Sequence, residues 1–138
     1  MAQVLTFYLG EEQYGLQISS IQEIVELPVL FYIPSAPDCY LGAMNFHGII
    51  LPVLDLPRLL DFEPGPQDDR VIVVSSDLAG LGLSVTRLDE ILLLGEEERL
   101  PCDDDRRQAH CIHEVVDHNG RMINLLDVAL LLARLEAM

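Results

Sequence analysis

The chain has no lysine and no tryptophan, and all eight of its basic residues are arginine. Against them stand 23 aspartates and glutamates, for a formal net charge of −15 at pH 7. Such a surface repels nucleic-acid phosphates and anionic lipid headgroups, so partners are expected among proteins with a basic or apolar patch. The same excess also serves solubility. Cysteine is scarce: Cys39, Cys102 and Cys111 are an odd number at no disulfide-framework spacing, which points to a reduced, cytoplasmic compartment. No apolar run approaches the length of a membrane span. The opening MAQVLTFYLG lacks a basic start and a small-residue cleavage site. Phosphate-binding and nucleophilic motifs are missing too. Gly80 and Gly82 lie in strand-like sequence with no lysine after them, and no nucleophile elbow is present. Asp89 and Glu90 are adjacent in a surface-prone segment and read as a solvated face. The expectation is a protein with no enzymatic activity and no cofactor.

What the chain does have is apolar residues, half of the total, enough for one domain with a real core. The stretch that organises it is 42–56, GAMNFHGIILPVLDL. Gly42 opens it and Gly48 divides it. Beyond Gly48, Ile49, Leu51 and Val53 share one strand face, and Ile50, Pro52 and Leu54 share the other. Both faces are apolar, so the strand is expected to be buried on both. Pro52 has no N–H for a ladder, which calls for an edge or a bulge there. Asp55 is placed to cap a short helix over 56–60, with Pro57 in its first turn.

Elsewhere the pattern is mainly β. Residues 4–9 read as a strand and 10–12 as its turn. Tyr14, Leu16 and Ile18, alternating with Gly15 and Gln17, then read as a half-buried strand that closes a hairpin. Residues 19–27 carry two signals. Ser20 and Glu23 fit a capping box, whereas Ile21, Val25 and Leu27 fit a strand period; we lean to a strand with irregular flanks. Pro37 and Gly42 suit the start and end of one short helical turn over 38–41. After the polar break 63–69, EPGPQDD, residues 71–74 form a continuous apolar strand. Leu81, Leu83 and Val85 then alternate with Gly82 and Ser84. Residues 96–108 read as a charged loop. Strands over 112–117 and 122–126 flank a tight Asn119-Gly120 turn. Asp127 caps a last helix over 128–136, with Val128, Leu131, Leu132 and Leu135 on its apolar side.

The two halves of the chain, about 1–66 and 67–138, copy each other. Tyr14, Gly15, Leu16 and Ile18 correspond to Leu81, Gly82, Leu83 and Val85. Ile21, Glu23, Ile24 and Leu27 correspond to Leu88, Glu90, Ile91 and Leu94. Gly48, Leu51, Val53, Leu54 and Asp55 correspond, at an offset five residues longer, to Gly120, Ile123, Leu125, Leu126 and Asp127. The additional residues are expected in the charged loop, where insertions are tolerated. Each half alone is near the size at which a core becomes marginal. The spacing of strands and turns therefore predicts two small barrels sharing one core within a single domain.

One cluster bears on chemistry. Cys102, His110, Cys111 and His113 are each plausible zinc ligands, and a metal- or redox-responsive module is the alternative function. The spacing matches neither C-x-x-C nor H-x-x-x-H. Cys111 and His113 would share one face of a strand, with His110 on the other.

Gly42, Asn45, Gly48, Pro52, Val53, Asp55 and Leu56 fit the pattern G-x-x-N-L-R-G-x-I-x-P-V-x-D-L, and the chain resembles the CheW-like scaffold domains of bacterial chemotaxis. The opening FYLGEEQYGL, the segment Ile21-Gln22-Glu23-Ile24 and the prolines at 34 and 37 strengthen the resemblance, which covers nearly the whole chain. Phe46 stands where the pattern has leucine, and His47 where it has arginine. The resemblance implies two intertwined five-stranded SH3-like barrels with short helices. It also implies a non-catalytic adaptor between chemoreceptor cytoplasmic tips and the regulatory domain of a CheA-type histidine kinase, in chemotaxis or surface motility. Carried over residue by residue, its partner-binding positions are Ile21, Glu23, Gly42, Asn45, His47 and Gly48. The arginine-to-histidine change at His47 leaves a further alternative, an adaptor that has lost receptor binding and only caps kinase rings.

Overall fold

The computed structural model describes residues 2–95 and 97–138. Strands β1 (Ala2–Leu9) and β2 (Glu12–Gln17) form a hairpin, and a single 3-10 turn at Ile18–Ser20 leads into β3 (Ile21–Glu26). A second hairpin joins β4 (Tyr40–Phe46) to β5 (Ile49–Asp55), followed by α1 (Leu56–Leu59). The second half runs β6 (Arg70–Val74), β7 (Gly82–Ser84), β8 (Arg87–Leu94), β9 (Glu98–Leu100), α2 (Asp104–His110), β10 (Ile112–His118), β11 (Arg121–Leu126) and α3 (Val128–Glu136).

The strands form two sheets, ordered β8-β1-β2-β11-β10-β9 and β3-β6-β7-β5-β4. Replacing each strand of the second sheet by its repeat counterpart reproduces the first as far as β10. The five additional residues of the second half fall between β8 and β10, where β9 and α2 lie. Each sheet takes strands from both halves, so the two SH3-like barrels are intertwined. Met44, Phe46, Leu51, Val53, Val71 and Val73 fill one barrel, and Val4, Leu94, Val116, Ile123 and Leu125 fill the other. A third, larger cluster lies between them and includes Phe7, Tyr14, Leu54, Leu56, Ile72, Leu83, Ile112 and Leu131.

Local chemistry fixed several elements as expected. Asn119 (φ 53°) and Gly120 (φ 84°) make the tight turn between β10 and β11. The Asp55 and Asp127 carboxylates accept from the Arg58 and Leu130 N–H groups at 3.2 and 3.0 Å, capping α1 and α3. Alanine at either position should cost about 1 kcal/mol, read as a lower urea midpoint. An unmoved midpoint in both variants would remove the capping role.

Other expectations are corrected. Residues 38–41 form no helix: Asp38 and Cys39 make a turn closed by the Tyr40 N–H to the Pro37 carbonyl at 3.0 Å, and β4 starts at Tyr40. Ile49 and Ile50 are 60% and 63% exposed, because β7 pairs with β5 only from Val53 onward and leaves the start of β5 at the barrel rim. Pro52 sits just before that ladder, where a missing N–H costs nothing. Conversely, most residues expected to alternate in β2 and around β7 are buried on both faces: Tyr14 to Leu16, and Leu81 to Val85, with only Gln17 exposed as expected. Both strands are central in their sheets.

The charged loop expected over 96–108 contains β9 and α2; its first residue, Glu96, lies outside the described residues. Asp103 caps α2 by accepting from the Arg106 N–H at 2.7 Å, acids fill the first turn, and Arg107 and His110 stand in the last. No residue of α2 is buried, so no apolar period announced it.

The link between the halves is tied down by Asp68. Its carboxylate takes both arms of Arg70, at 2.9 and 3.0 Å, and accepts from the Leu88 N–H at 2.8 Å. The Arg70 hydrogen bonds above all hold its pKa down at about 2. A carboxyl depressed on folding stabilises above its unfolded pKa and loses that contribution as pH falls through the folded value. Asp68→Asn should therefore lower the melting temperature at neutral pH. The gap to the unmutated protein should close between about pH 4 and about pH 2. A gap of constant size across that range would refute the assignment.

Candidate partner-binding surface

The β4–β5 hairpin turns at His47 and Gly48, both left-handed, with φ of 51° and 87°. Gly48 adopts this freely; His47 does so as the counterpart of Asn119 in the second half. Asn45 holds the turn closed, its Oδ1 accepting from the Gly48 N–H at 2.8 Å. Asp117 does the same for Gly120, also at 2.8 Å. Phe46 points into the barrel and is 6% exposed. Its ring meets the imidazole edge-on, with centroids 4.5 Å apart.

The turn throws the His47 side chain outward toward β3. There Nε2 lies 3.2 Å from Oε1 of Glu23, and both side chains keep substantial solvent contact. Thus Glu23, Asn45, His47 and Gly48 form one exposed surface, polar at its centre, with exposed Ile49 and Ile50 beside it.

The other two candidates lie elsewhere. Ile21 pairs with Val74 and packs against the core between the barrels, so it positions β3. Gly42 sits at the far end of β4, where the register slips between Tyr40 and Gly42. A Cβ there would stand 2.7 Å from the Phe31 carbonyl oxygen, so Gly42 admits the chain that crosses β4.

Sequence reasoning missed Ile49 and Ile50. Their one signal was position, immediately after a His-Gly turn. The possible metal ligands do not gather. Cys111 is the left-handed C-cap of α2, wholly buried, and β10 begins only after it, so it shares no strand face with His113. Burial also raises its thiol pKa. His113 is exposed and lies 3.7 Å from Asp127. His110 takes the Tyr14 hydroxyl on its carbonyl at 3.1 Å. Among the described residues no group of three or more His, Cys, Asp or Glu side chains is placed to hold a metal ion.

The family model described as "CheW-like domain" matches residues 3–136. This chain belongs to the CheW-like domain family. It is 25% identical to a probable chemotaxis protein CheW of Rhizobium etli, over 98% of this chain and 90% of that one. It is 33% identical to chemotaxis protein CheW of Klebsiella aerogenes, over 70% of this chain and 60% of the relative. Among solved structures it is similar to the scaffolding protein TtCheW of Thermoanaerobacter tengcongensis. That likeness has a TM-score of 0.77 and 26% identity and covers 91% of this chain and 88% of that one. The CheW-like fold is a chemotaxis scaffold, and the mainly β, two-barrel architecture described above is its form. No helix among the described residues is long and apolar enough to cross a membrane.

Proposed function

We propose that this CheW-like chain is a non-catalytic cytoplasmic adaptor that couples chemoreceptor tips to the regulatory domain of a CheA-type histidine kinase. The observation that carries the reading is the family match over nearly the whole chain, joined to the exposed Glu23–His47 surface at the positions the family pattern marks. In this chain Glu23 already faces an imidazole within its own fold, so a partner contacts the pair. Arginine at 47 would supply a permanent charge on a planar fork able to hold Glu23 and a partner group together.

Binding of the kinase regulatory domain and of a receptor-tip fragment should be titrated separately. His47→Arg should tighten at least one of them by about 0.5–1 kcal/mol, the range for a solvent-exposed ion pair. Glu23→Arg should weaken the same partner. Unchanged affinity for both partners in both variants would remove this surface from the interface. Failure of the unmutated chain to bind either partner would overturn the adaptor reading itself.

A further inference from the structure

Residues 28–33, PVLFYI, run as a ribbon from β3 to β4 and meet the outer edge of β4 at Phe31. They are the most exposed apolar run in the described chain: Val29 is 71% exposed, Phe31 56% and Tyr32 84%. A single bridge holds the ribbon in place. The Phe31 N–H donates to the Ala43 carbonyl at 2.7 Å, and the Ala43 N–H donates to the Phe31 carbonyl at 2.8 Å. In an antiparallel pair the flanking residues turn their N–H and C=O groups to the other side. The Leu30 C=O and the Tyr32 N–H share peptide planes with the bonded Phe31 groups and therefore point outward, and among the described residues neither the Leu30 nor the Tyr32 N–H has a partner within the chain. Gly42 leaves room beneath, since a Cβ there would also stand 3.3 Å from the Leu30 Cβ. The result is an open strand edge lined by apolar and aromatic side chains, a ready template for an added strand.

The charges around the edge select its occupant. At its start the Leu27 N–H donates to the Asp69 carbonyl at 2.9 Å, which brings the exposed Glu26 and Asp69 to that end. Among the described residues neither carboxylate lies within ion-pair distance of a cation: Arg70 stands opposite Glu26, but it closes its fork on Asp68. A second copy of this chain would bring another fifteen net negative charges and a second Glu26 and Asp69 to the seam.

We propose that residues 28–33 dock an extended apolar segment of a partner protein. It adds as a strand to Leu30 and Tyr32 and sets lysine or arginine over Glu26 and Asp69. The inference stands whether or not the His47 hairpin contacts a kinase.

The test is an NMR titration of the full chain with two synthetic peptides of alternating valine and threonine, one with lysine at both ends and one with glutamate. The lysine peptide should shift the Leu30 and Tyr32 amides and slow their hydrogen exchange. It should bind at least about tenfold more tightly than the glutamate peptide. Tyr32→Pro removes an N–H that bonds nothing in the fold, and it should abolish binding of the lysine peptide. Glu26→Lys combined with Asp69→Lys should reverse the preference between the peptides. Equal binding of both peptides, no binding of either, or shifts confined to other strands would overturn the proposal. So would self-association through the Leu30 and Tyr32 amides, seen by sedimentation without peptide.

Discussion

Residues 1–66 expressed alone will show no cooperative thermal melt by circular dichroism. Within that fragment only the β1–β2 and β4–β5 ladders survive. β1 loses β8, β2 loses β11, β3 loses β6 and β5 loses β7. β3 would then have no neighbour at all. The shared core would lose Ile72, Leu83, Ile112 and Leu131, all wholly buried, and both barrels would be left open. A chain of that length has little stability to spare even with a complete core. Mixing the fragment with residues 67–138 should restore β signal and a melt, since every missing partner is then present. A cooperative melt of the isolated fragment would refute the interdependence of the halves.

The second large effect is expected at Gly15. It faces the interior of the barrel filled by Val4, Ile123 and Leu125. A Cβ would stand 2.6 Å from the Val4 Cγ1 and 3.2 Å from methyl groups of both others. Val4 is β-branched and 1% exposed, so its side chain has little freedom to move aside. Gly15→Ala should cost about 1–3 kcal/mol, the range for overpacking a close-packed core. Val4→Ala in the same chain should recover part of that loss by opening the space. Gly82 repeats the arrangement in the other barrel, with its Cβ position 2.9 Å from the Val71 Cγ1, and should respond in the same direction. Gly65, with nothing within 4 Å, is the control. If Gly15→Ala costs no more than Gly65→Ala in denaturant titrations, this account of the glycine pair fails.

These two glycines mark what could be read from the chain and what could not. Their correspondence was visible as part of the repeat, but the reason for it was not, because the methyl groups that exclude a Cβ arrive from strands far along the sequence. The same division runs through the candidate surface. The family pattern marked Asn45, His47 and Gly48, and Glu23 with them, as candidates, and all four are exposed. That Glu23 and His47 touch was not legible, since it depends on how one barrel curls until β3 meets the β4–β5 turn. Gly42 was legible as a special position and misread as a helix end; its role comes from the ribbon that crosses it.

By itself the sequence determined the elements whose causes lie within about four residues: the caps at Asp55 and Asp127, the Asn119-Gly120 turn and the bounds of α3. Capping and turn bonds close locally, so the residues that make them stand beside the groups they satisfy. Tertiary structure decided which faces are buried. Gln13 to Leu16 are enclosed and Ile49 and Ile50 exposed because of which strands arrive alongside, and the parallel ladders β2–β11 and β5–β7 join residues from opposite halves of the chain. A strand's alternation records two faces but carries no record of its neighbours. Burial, contact and an open edge are properties of the neighbours.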